Sequence, residues 1–164
     1  MAKYNKEETL KFLDENGYKY EKVEHAAVFT MEEMEVAGIT KMGDVFKNLF
    51  LRNAKGDKHY LVCVDESKPV DLTKLAMKLG STKLSFASAE RLEKYLGVSQ
   101  GSVSCLGILN DENHEVIVAF DQSFMGKDKI GVHPNENTAT CFLSFKDLKK
   151  IIEDHGNKFM CVKL

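Results

Sequence analysis

Lys47 and Asn48 stand side by side in the apolar stretch DVFKNLFLRN, residues 44–53. This stretch predicts a buried β-strand, and because strand side chains alternate between faces, Lys47 should share one face with Val45 and Leu49. An ammonium group on an apolar face must be paired, reach solvent or meet a ligand. Lysine is usually exposed, so the ordinary alternative to a catalytic role is a stem lying along the sheet with its head in water.

Two further stretches have residue types that could bind a ligand. GSVSCLG, residues 101–107, combines small residues with glycines, which lets backbone N–H groups approach a ligand closely. GVHPNENTAT, residues 131–140, gathers polar residues between apolar segments, and the proline after His133 restrains the backbone that orients this imidazole as a donor or acceptor. An ordinary turn and an ordinary surface loop are the alternatives for these two stretches.

Other catalytic signatures are missing from the sequence. It contains no Gly-x-Ser-x-Gly elbow, no Cys-x-x-Cys pair, no phosphate-binding glycine loop and no paired catalytic carboxylates. Its five histidines and four cysteines lack the spacing of zinc ligands. We therefore predict no metal site, no cofactor and, if the protein is an enzyme, no conventional nucleophile. The scattered cysteines are typical of reduced, buried thiols in a cytoplasmic protein.

Length, composition and charge limit the class of protein and its partners. With 164 residues, 43% of them hydrophobic, the chain is predicted to form one domain, residues 1–164, with a single core. A formal net charge of −2 argues against sequence-independent binding to a nucleic acid backbone, so DNA is not an expected partner. The sequence shows no apolar segment of a signal peptide and no run of membrane-spanning length, so we expect a cytoplasmic protein without a membrane partner.

Hydrophobic periodicity and end signals predict short helices mixed with strands. Helices are predicted over residues 5–17, 30–38, 71–80, 88–97 and 144–156, and strands over 18–25, 44–53, 58–65, 83–88, 114–121, both ends of 129–144, and 158–164. Thr30 with Glu33 forms a capping box for the second helix, and the AKGD turn at 54–57 predicts a hairpin. Several adjacent strands should be antiparallel, so the predicted class is α+β, a mixed sheet flanked by helices.

Five segments carry a resemblance to a known family: EHAAVFTMEEM, KNLFLRN, KHYLVCVD, GSVSCLGILND and GVHPNENTATCFLSFKDL. In this order and spacing, over about residues 18–148, they resemble the YbaK/ProX family of freestanding prolyl-tRNA editing proteins. The KNLFL and GVHPxxNTAT parts are the most specific. The resemblance implies a curved, mixed and largely antiparallel sheet. It also implies an enzyme that hydrolyses the ester of mischarged tRNA(Pro) in a substrate-assisted reaction.

The resemblance also assigns residues to the site. Lys47 and His133 match the family's catalytic lysine and histidine, and a partly buried ammonium would stabilise the charge that develops on the ester. Asn48 would support the site from behind, because it faces away from Lys47 in a regular strand. Cys105 stands where the family's Gly-x-x-x-Pro loop has proline, so the loop should be more adaptable. The residues implied in substrate binding are Phe29, Thr30, Asn48, Gly101, Ser102, Val103, Ser104, Cys105, Asn137 and Thr138.

Alanyl-tRNA(Pro) is the expected substrate, because the segments that contain His25 and Gly101 look more like those of alanine-editing members. Two alternatives remain. One is a cysteinyl-tRNA(Pro) deacylase, and the other is a non-catalytic module that binds the tRNA or the synthetase. Retention of Lys47 and His133 argues against the non-catalytic module. The expected partners are the acceptor end of mischarged tRNA(Pro) and, in addition, prolyl-tRNA synthetase.

Overall fold

Five α-helices and eight β-strands make up the regular structure of residues 3–28 and 31–164, which this computed structural model describes. The helices are α1 (Lys6–Glu15), α2 (Met31–Val36), α3 (Leu72–Leu79), α4 (Ala89–Leu96) and α5 (Phe145–His155). The strands are β1 (Glu21–Glu24), β2 (Asp44–Arg52), β3 (His59–Asp65), β4 (Ser85–Phe86), β5 (Val116–Asp121), β6 (Ile130–Val132), β7 (Ala139–Leu143) and β8 (Phe159–Val162). Within these residues, no helix has the length and apolar character needed to cross a membrane.

The strands form one mixed sheet in the order β1-β7-β6-β2-β3-β5-β8, and β4 pairs with the end of β2. Among the described strands, β1–β7, β2–β3, β2–β4 and β6–β7 are antiparallel, whereas β2–β6, β3–β5 and β5–β8 are parallel. The hairpin predicted at residues 54–57 joins β2 to β3. The predicted mixed sheet flanked by helices is confirmed, and β2 and β3 lie at its centre.

A capping serine begins α5 and a glycine ends it, where the sequence predicts. At the start of α5, the Ser144 hydroxyl accepts a hydrogen bond from the N–H of Asp147, which satisfies a donor that the first turn leaves without a helical partner. At its end, Gly156 has a φ of 105°, a backbone conformation that glycine adopts without a steric penalty. The capping box predicted at Thr30 lies outside the described residues.

One face of β2 packs into the large core of the protein. Phe46 and Phe50 are buried there together with Leu96 of α4 and Leu148 of α5. This core also contains the apolar residues of the 3-10 helix Cys105–Asn110. The side chains of Phe46, Asn48 and Phe50 therefore point into the protein between the sheet and these helices.

The other face of β2 is covered in two separate places. Val45 packs with Ile39 beside α2, in what we call the α2 cluster. Leu51 packs with Leu75 of α3, in what we call the α3 cluster. Lys47 lies on this face between the two clusters, as strand alternation predicts.

The stretch 101–107 is partly helical, whereas the sequence predicts a loop. Gln100–Ser102 and Cys105–Asn110 form two 3-10 helices. Ser104 caps the second by accepting a hydrogen bond from the N–H of Leu106 at 3.1 Å. Gly107 approaches α4 so closely that an added Cβ would lie 3.1 Å from the Cβ of Leu96. Tight packing against α4 therefore explains the glycine, which the sequence analysis attributed to ligand access.

Candidate active site

Lys47 is half-buried in the middle of β2. Its Nζ donates a hydrogen bond to the main-chain carbonyl of Lys68, 2.9 Å away. Among the described residues, no carboxylate forms an ion pair with it. A carbonyl oxygen orients an ammonium group without neutralising it, so the positive charge of Lys47 remains available to a negatively charged ligand or transition state.

The pairing of β2 with β6 brings His133 to the same face of the sheet as Lys47. These strands are parallel, and Val45 is aligned with Gly131. Lys47 and His133 each follow two residues later, and residues two apart in extended chain point to the same face. Continuing this register two residues past the last aligned pair puts Lys47 of β2 and His133, which directly follows β6, on one face of the sheet.

His133 is neutral near pH 7, with a defined tautomer. Its Nδ1 lies 3.0 Å from the main-chain oxygen of Ala139, and because a carbonyl can only accept, Nδ1 carries the proton. Burial lowers the pKa of His133, and a positive charge on nearby His25 would lower this pKa further, whereas the bond to Ala139 offsets only part of the effect. The neutral ring therefore has Nε2 as a hydrogen-bond acceptor.

His25 is a second histidine at this site. Its ring centroid is 6.4 Å from that of His133. Its Nδ1 donates to the carbonyl of Ala26 at 2.8 Å, and its Nε2 lies 2.9 Å from the Thr140 hydroxyl, from which a neutral ring accepts a hydrogen bond. His25 is not among the site residues that the sequence predicts. Continuing the alternation of β1 past Val23, which packs in the α2 cluster, would have placed His25 on this face.

Asn137 and Thr138 attach the segment 25–28 to the loop that follows β6. The Asn137 amide donates to the carbonyl of Val28 at 3.1 Å. The main-chain carbonyl of Thr138 accepts from the N–H of His25 at 3.0 Å, and its hydroxyl lies 3.4 Å from Nζ of Lys6. Both residues thus lie beside His25, and their assignment to substrate binding stays a prediction.

Asn48 faces away from Lys47, into the large core. Its Oδ1 accepts a hydrogen bond from the Cys63 thiol at 3.2 Å. The register between β2 and β3 is continuous from Phe46 to Arg52, so no bulge re-aims the side chain. Asn48 can therefore support the strand from behind but does not reach the Lys47 face.

In the predicted binding stretch 101–105, the two serine side chains and the cysteine side chain point into the protein interior. Ser102, Ser104 and Cys105 are at most 7% exposed, while Gly101 and Val103 are partly buried. Cys105 lies in the large core with Phe46, on the side of the sheet opposite Lys47. The structure does not bring these side chains to Lys47 and His133, and their role in substrate binding stays a prediction.

The buried thiols are unsuited to covalent catalysis. Burial raises the pKa of Cys105 and of Cys141 to about 12, and raises that of Cys63 well above its usual value. A thiol is nucleophilic as the thiolate, so these groups are unreactive near pH 7. The absence of a conventional nucleophile from the reaction stays a prediction.

Replacing Cys105 with proline should preserve the fold. Ser104 before it is extended, with φ −152° and ψ 150°, which is the conformation that a residue before proline prefers. Position 105 is the first residue of a 3-10 helix, and the fixed φ of proline suits the first residue of a helix. We expect Cys105→Pro to change the free energy of unfolding by less than about 1 kcal/mol. Chemical denaturation measures it, and a cooperative transition that disappears or falls by several kcal/mol would contradict this account of the turn.

Phe29 and Thr30 lie outside the described residues. Within residues 3–28 and 31–164, no three or more His, Cys, Asp or Glu side chains are grouped so that they could hold a metal ion.

Sequence comparisons relate the chain to tRNA editing proteins. Residues 25–151 match the model of the aminoacyl-tRNA editing domain family. The chain is 50% identical to the prolyl-tRNA editing protein ProX of Acetoanaerobium sticklandii over 152 residues, which cover 93% of each protein. It is 35% identical to prolyl-tRNA synthetase associated domain-containing protein 1 of Danio rerio, over 80% of this chain and 72% of the relative.

Solved structures share the fold. One, described as a candidate trans-editing enzyme for prolyl-tRNA synthetase, has a TM-score of 0.72 over 97% of both chains at 22% identity. Another, from work on epitope grafting onto scaffold proteins, has a TM-score of 0.75 over 97% of this chain and 95% of the other at 21% identity. With the family match over residues 25–151, the chain belongs to the aminoacyl-tRNA editing domain family and is an aminoacyl-tRNA deacylase, a hydrolase acting on an ester bond.

Proposed function

We propose that this protein hydrolyses the ester of mischarged tRNA(Pro), with alanyl-tRNA(Pro) as its main substrate. The observation that carries the proposal is the 50% identity to a prolyl-tRNA editing protein over 93% of both chains. The arrangement of Lys47 and His133 on one face of the sheet supports it. In the reaction, water adds to the ester carbonyl, the bond to the ribose oxygen breaks, and the products are alanine and tRNA with a free terminal hydroxyl.

Lys47 supplies the charge that this reaction needs. The carbonyl oxygen of the ester becomes negative as water adds, and an ammonium group in a half-buried position stabilises that charge more strongly than it would in water. His133 Nε2 accepts a hydrogen bond from the ribose hydroxyl or from the ammonium group of the amino acid. A hydroxyl of the terminal adenosine helps to activate the water, which fits a site whose described thiols are protonated and buried.

Selection for alanine rests on size. A hydrophobic pocket that admits both ligands discriminates a few methylenes by only about 1–3 kcal/mol, so the proline ring must be excluded by contact. We propose that the segment 25–28 forms this boundary, because it adjoins His133 and is fixed by Asn137. Cysteinyl-tRNA(Pro) is the alternative substrate, since a cysteine side chain is only slightly larger than that of alanine.

Prolyl-tRNA synthetase is the second proposed partner. The relatives from Danio rerio and Bos taurus, both 35% identical, are named as prolyl-tRNA synthetase associated domain proteins. We propose that the chain works as one domain that takes the acceptor end of tRNA(Pro) after the synthetase has mischarged it.

The test of the substrate is hydrolysis of alanyl- and cysteinyl-tRNA(Pro) measured side by side, with binding of uncharged tRNA(Pro) measured separately. Faster hydrolysis of the alanyl ester supports the proposal. Faster hydrolysis of the cysteinyl ester would move the assignment to the alternative substrate. Binding of tRNA(Pro) without hydrolysis of either ester would contradict the enzymatic reading and favour a non-catalytic module.

Deacylation by the wild-type protein should fall in acid solution as His133 is protonated and loses its acceptor. Because burial holds the pKa of His133 below its ordinary value of 6.5, the fall should begin only below that pH. In His133→Gln the amide oxygen accepts a hydrogen bond without titrating, so this component of the pH dependence should disappear. Initial rates between about pH 5 and 8, corrected for uncatalysed hydrolysis, measure it. A His133→Gln profile with the wild-type shape would exclude this role.

A further inference from the structure

A chain of hydrogen bonds connects the end of β5 to Lys47. Asp121, the last residue of β5, is fully buried and accepts hydrogen bonds from Nζ of Lys68 at 3.0 Å and from the N–H groups of Asp65 at 3.1 Å and Ser123 at 3.0 Å. Lys68 in turn presents its main-chain carbonyl to Nζ of Lys47 at 2.9 Å. The buried Asp121 carboxylate is therefore connected to the proposed catalytic ammonium of Lys47 through one intervening residue, Lys68.

The Asp121 carboxylate is ionised. Burial by itself would raise the pKa of this carboxyl, but the hydrogen bonds from Ser123, Lys68 and Asp65 outweigh burial and lower the pKa. A buried charge is stable only when it is paired and hydrogen-bonded, and the ion pair with Lys68 depends on the negative charge of Asp121. Lys68 is thus held by a strong, specific partner.

The turn between β3 and Pro69 is fixed from several sides. The N–H of Lys68 donates to the carbonyl of Asp65 at 3.1 Å, and the Asp65 carboxylate accepts from both the N–H and the hydroxyl of Ser67. Pro69 restricts the residue before it to extended conformations. With its ammonium group bound to Asp121, Lys68 has little freedom to turn its carbonyl away from Lys47.

This arrangement fixes the position of the Lys47 ammonium group without neutralising its charge. A carboxylate placed directly on Lys47 would fix the side chain but cancel its charge. Here Lys68 neutralises Asp121, and the hydrogen-bond acceptor that Lys47 meets among the described residues is an uncharged carbonyl. A long lysine side chain has many rotamers, so a fixed acceptor is needed to keep its ammonium in one place.

We propose that Asp121 is a positioning residue for the deacylation: through Lys68 it fixes the carbonyl that holds the Lys47 ammonium in place. This inference rests on the proposed function, in which Lys47 stabilises the charge on the ester. Asp121 itself touches neither the substrate nor Lys47.

The first test is the kinetics of Asp121→Asn, which keeps the shape of the side chain and removes the ion pair. Because misplacement of a catalytic group by about 1 Å can cost up to about 100-fold, we expect kcat for alanyl-tRNA(Pro) to fall about 10- to 100-fold while KM stays near the wild-type value. Asp111→Asn is the matched control. Asp111 is also buried, near the other end of β5, and accepts from the N–H of Val116 and the amide of Asn157. The Asp111→Asn variant should be less stable than the wild type but should keep the wild-type kcat.

The second test observes the Lys47 ammonium group directly. In a ¹H–¹⁵N correlation spectrum of lysine side chains, the Lys47 signal is assigned by its absence in Lys47→Ala. A hydrogen-bonded ammonium exchanges slowly with water, so the signal should broaden or vanish in Asp121→Asn and persist in Asp111→Asn. If Asp121→Asn does not fold, Lys68→Met replaces it, because this variant keeps the carbonyl and lacks only the group that binds Asp121.

A failure of the inference about Asp121 can be distinguished from a failure of the proposed function. Asp121→Asn added to Lys47→Ala should cause no further loss of rate, because two changes that act through one group are not additive. A further loss in that background, or wild-type kcat with an unchanged Lys47 signal in Asp121→Asn, would overturn this inference and leave the proposed function standing. Wild-type activity in folded Lys47→Ala would overturn both.

Discussion

Lys47→Ala should lose most of its deacylase activity while keeping its fold. Removing a group that stabilises developing negative charge typically costs about 10²–10³ in kcat, or roughly 3–4 kcal/mol. The side chain is only half-buried and forms one hydrogen bond to a carbonyl, so the free energy of unfolding should change little. Single-turnover hydrolysis of alanyl-tRNA(Pro) and thermal unfolding measure the two effects separately.

Lys22→Ala is the matched control for Lys47→Ala. Lys22 is also a strand lysine, but its side chain is 41% exposed and lies near Glu24 on β1. Its removal should leave hydrolysis at the wild-type rate. Near-wild-type turnover in folded Lys47→Ala, or an equal loss in both variants, would contradict a specific catalytic role for Lys47.

Gly131→Val should strongly destabilise the sheet beside the site. A Cβ added at Gly131 would lie 2.9 Å from Cγ1 of Val45 and 3.0 Å from atoms of Phe142 and Thr140. Overpacking of this kind costs about 1–3 kcal/mol, and valine adds further atoms to the same space. Since β6 positions His133 beside β2, activity should fall at temperatures where the variant is still folded. Chemical denaturation and deacylation measured on the same sample test this prediction.

A compensating substitution sharpens the Gly131 prediction. Gly131→Ala should be less destabilising than Gly131→Val. Adding Val45→Ala to Gly131→Ala should restore part of the lost stability, because Val45→Ala removes the nearest atom of the clash. The two changes together should therefore be less destabilising than the sum of their separate effects. Strict additivity, or an unchanged free energy of unfolding in Gly131→Val, would show that the close packing around β6 does not fix this strand.

Local patterns were enough to predict both ends of α5 and the orientation of Lys47. Capping by Ser144 and termination by Gly156 depend on neighbours a few residues away, so both could be read directly from the sequence. The placement of Lys47 on the face of Val45, and of Asn48 on the opposite face, follows from the two-residue period of a strand. The continuous register of β2 with β3 preserves that period in the structure.

Long-range packing explains what the sequence could not predict. The carbonyl that holds Lys47 is a main-chain group 21 residues away, and no side-chain pattern marks it. The small residues of the stretch 101–107, for which the sequence predicts ligand binding, also allow close packing on α4 and in the large core, and no local pattern indicates this packing. The parallel pairing of β2 with β6, whose register puts His133 on the same face of the sheet as Lys47, joins segments more than 80 residues apart.

The most direct test of the central claim compares two esters of the same tRNA. With enzyme in excess, the rate constants for hydrolysis of alanyl-tRNA(Pro) and prolyl-tRNA(Pro) are each measured against the uncatalysed rate. Exclusion of the proline ring predicts that the alanyl ester is hydrolysed at least about 100 times faster than the prolyl ester. Equal acceleration of both esters, or acceleration of neither, would contradict an editing deacylase that protects correctly charged tRNA(Pro).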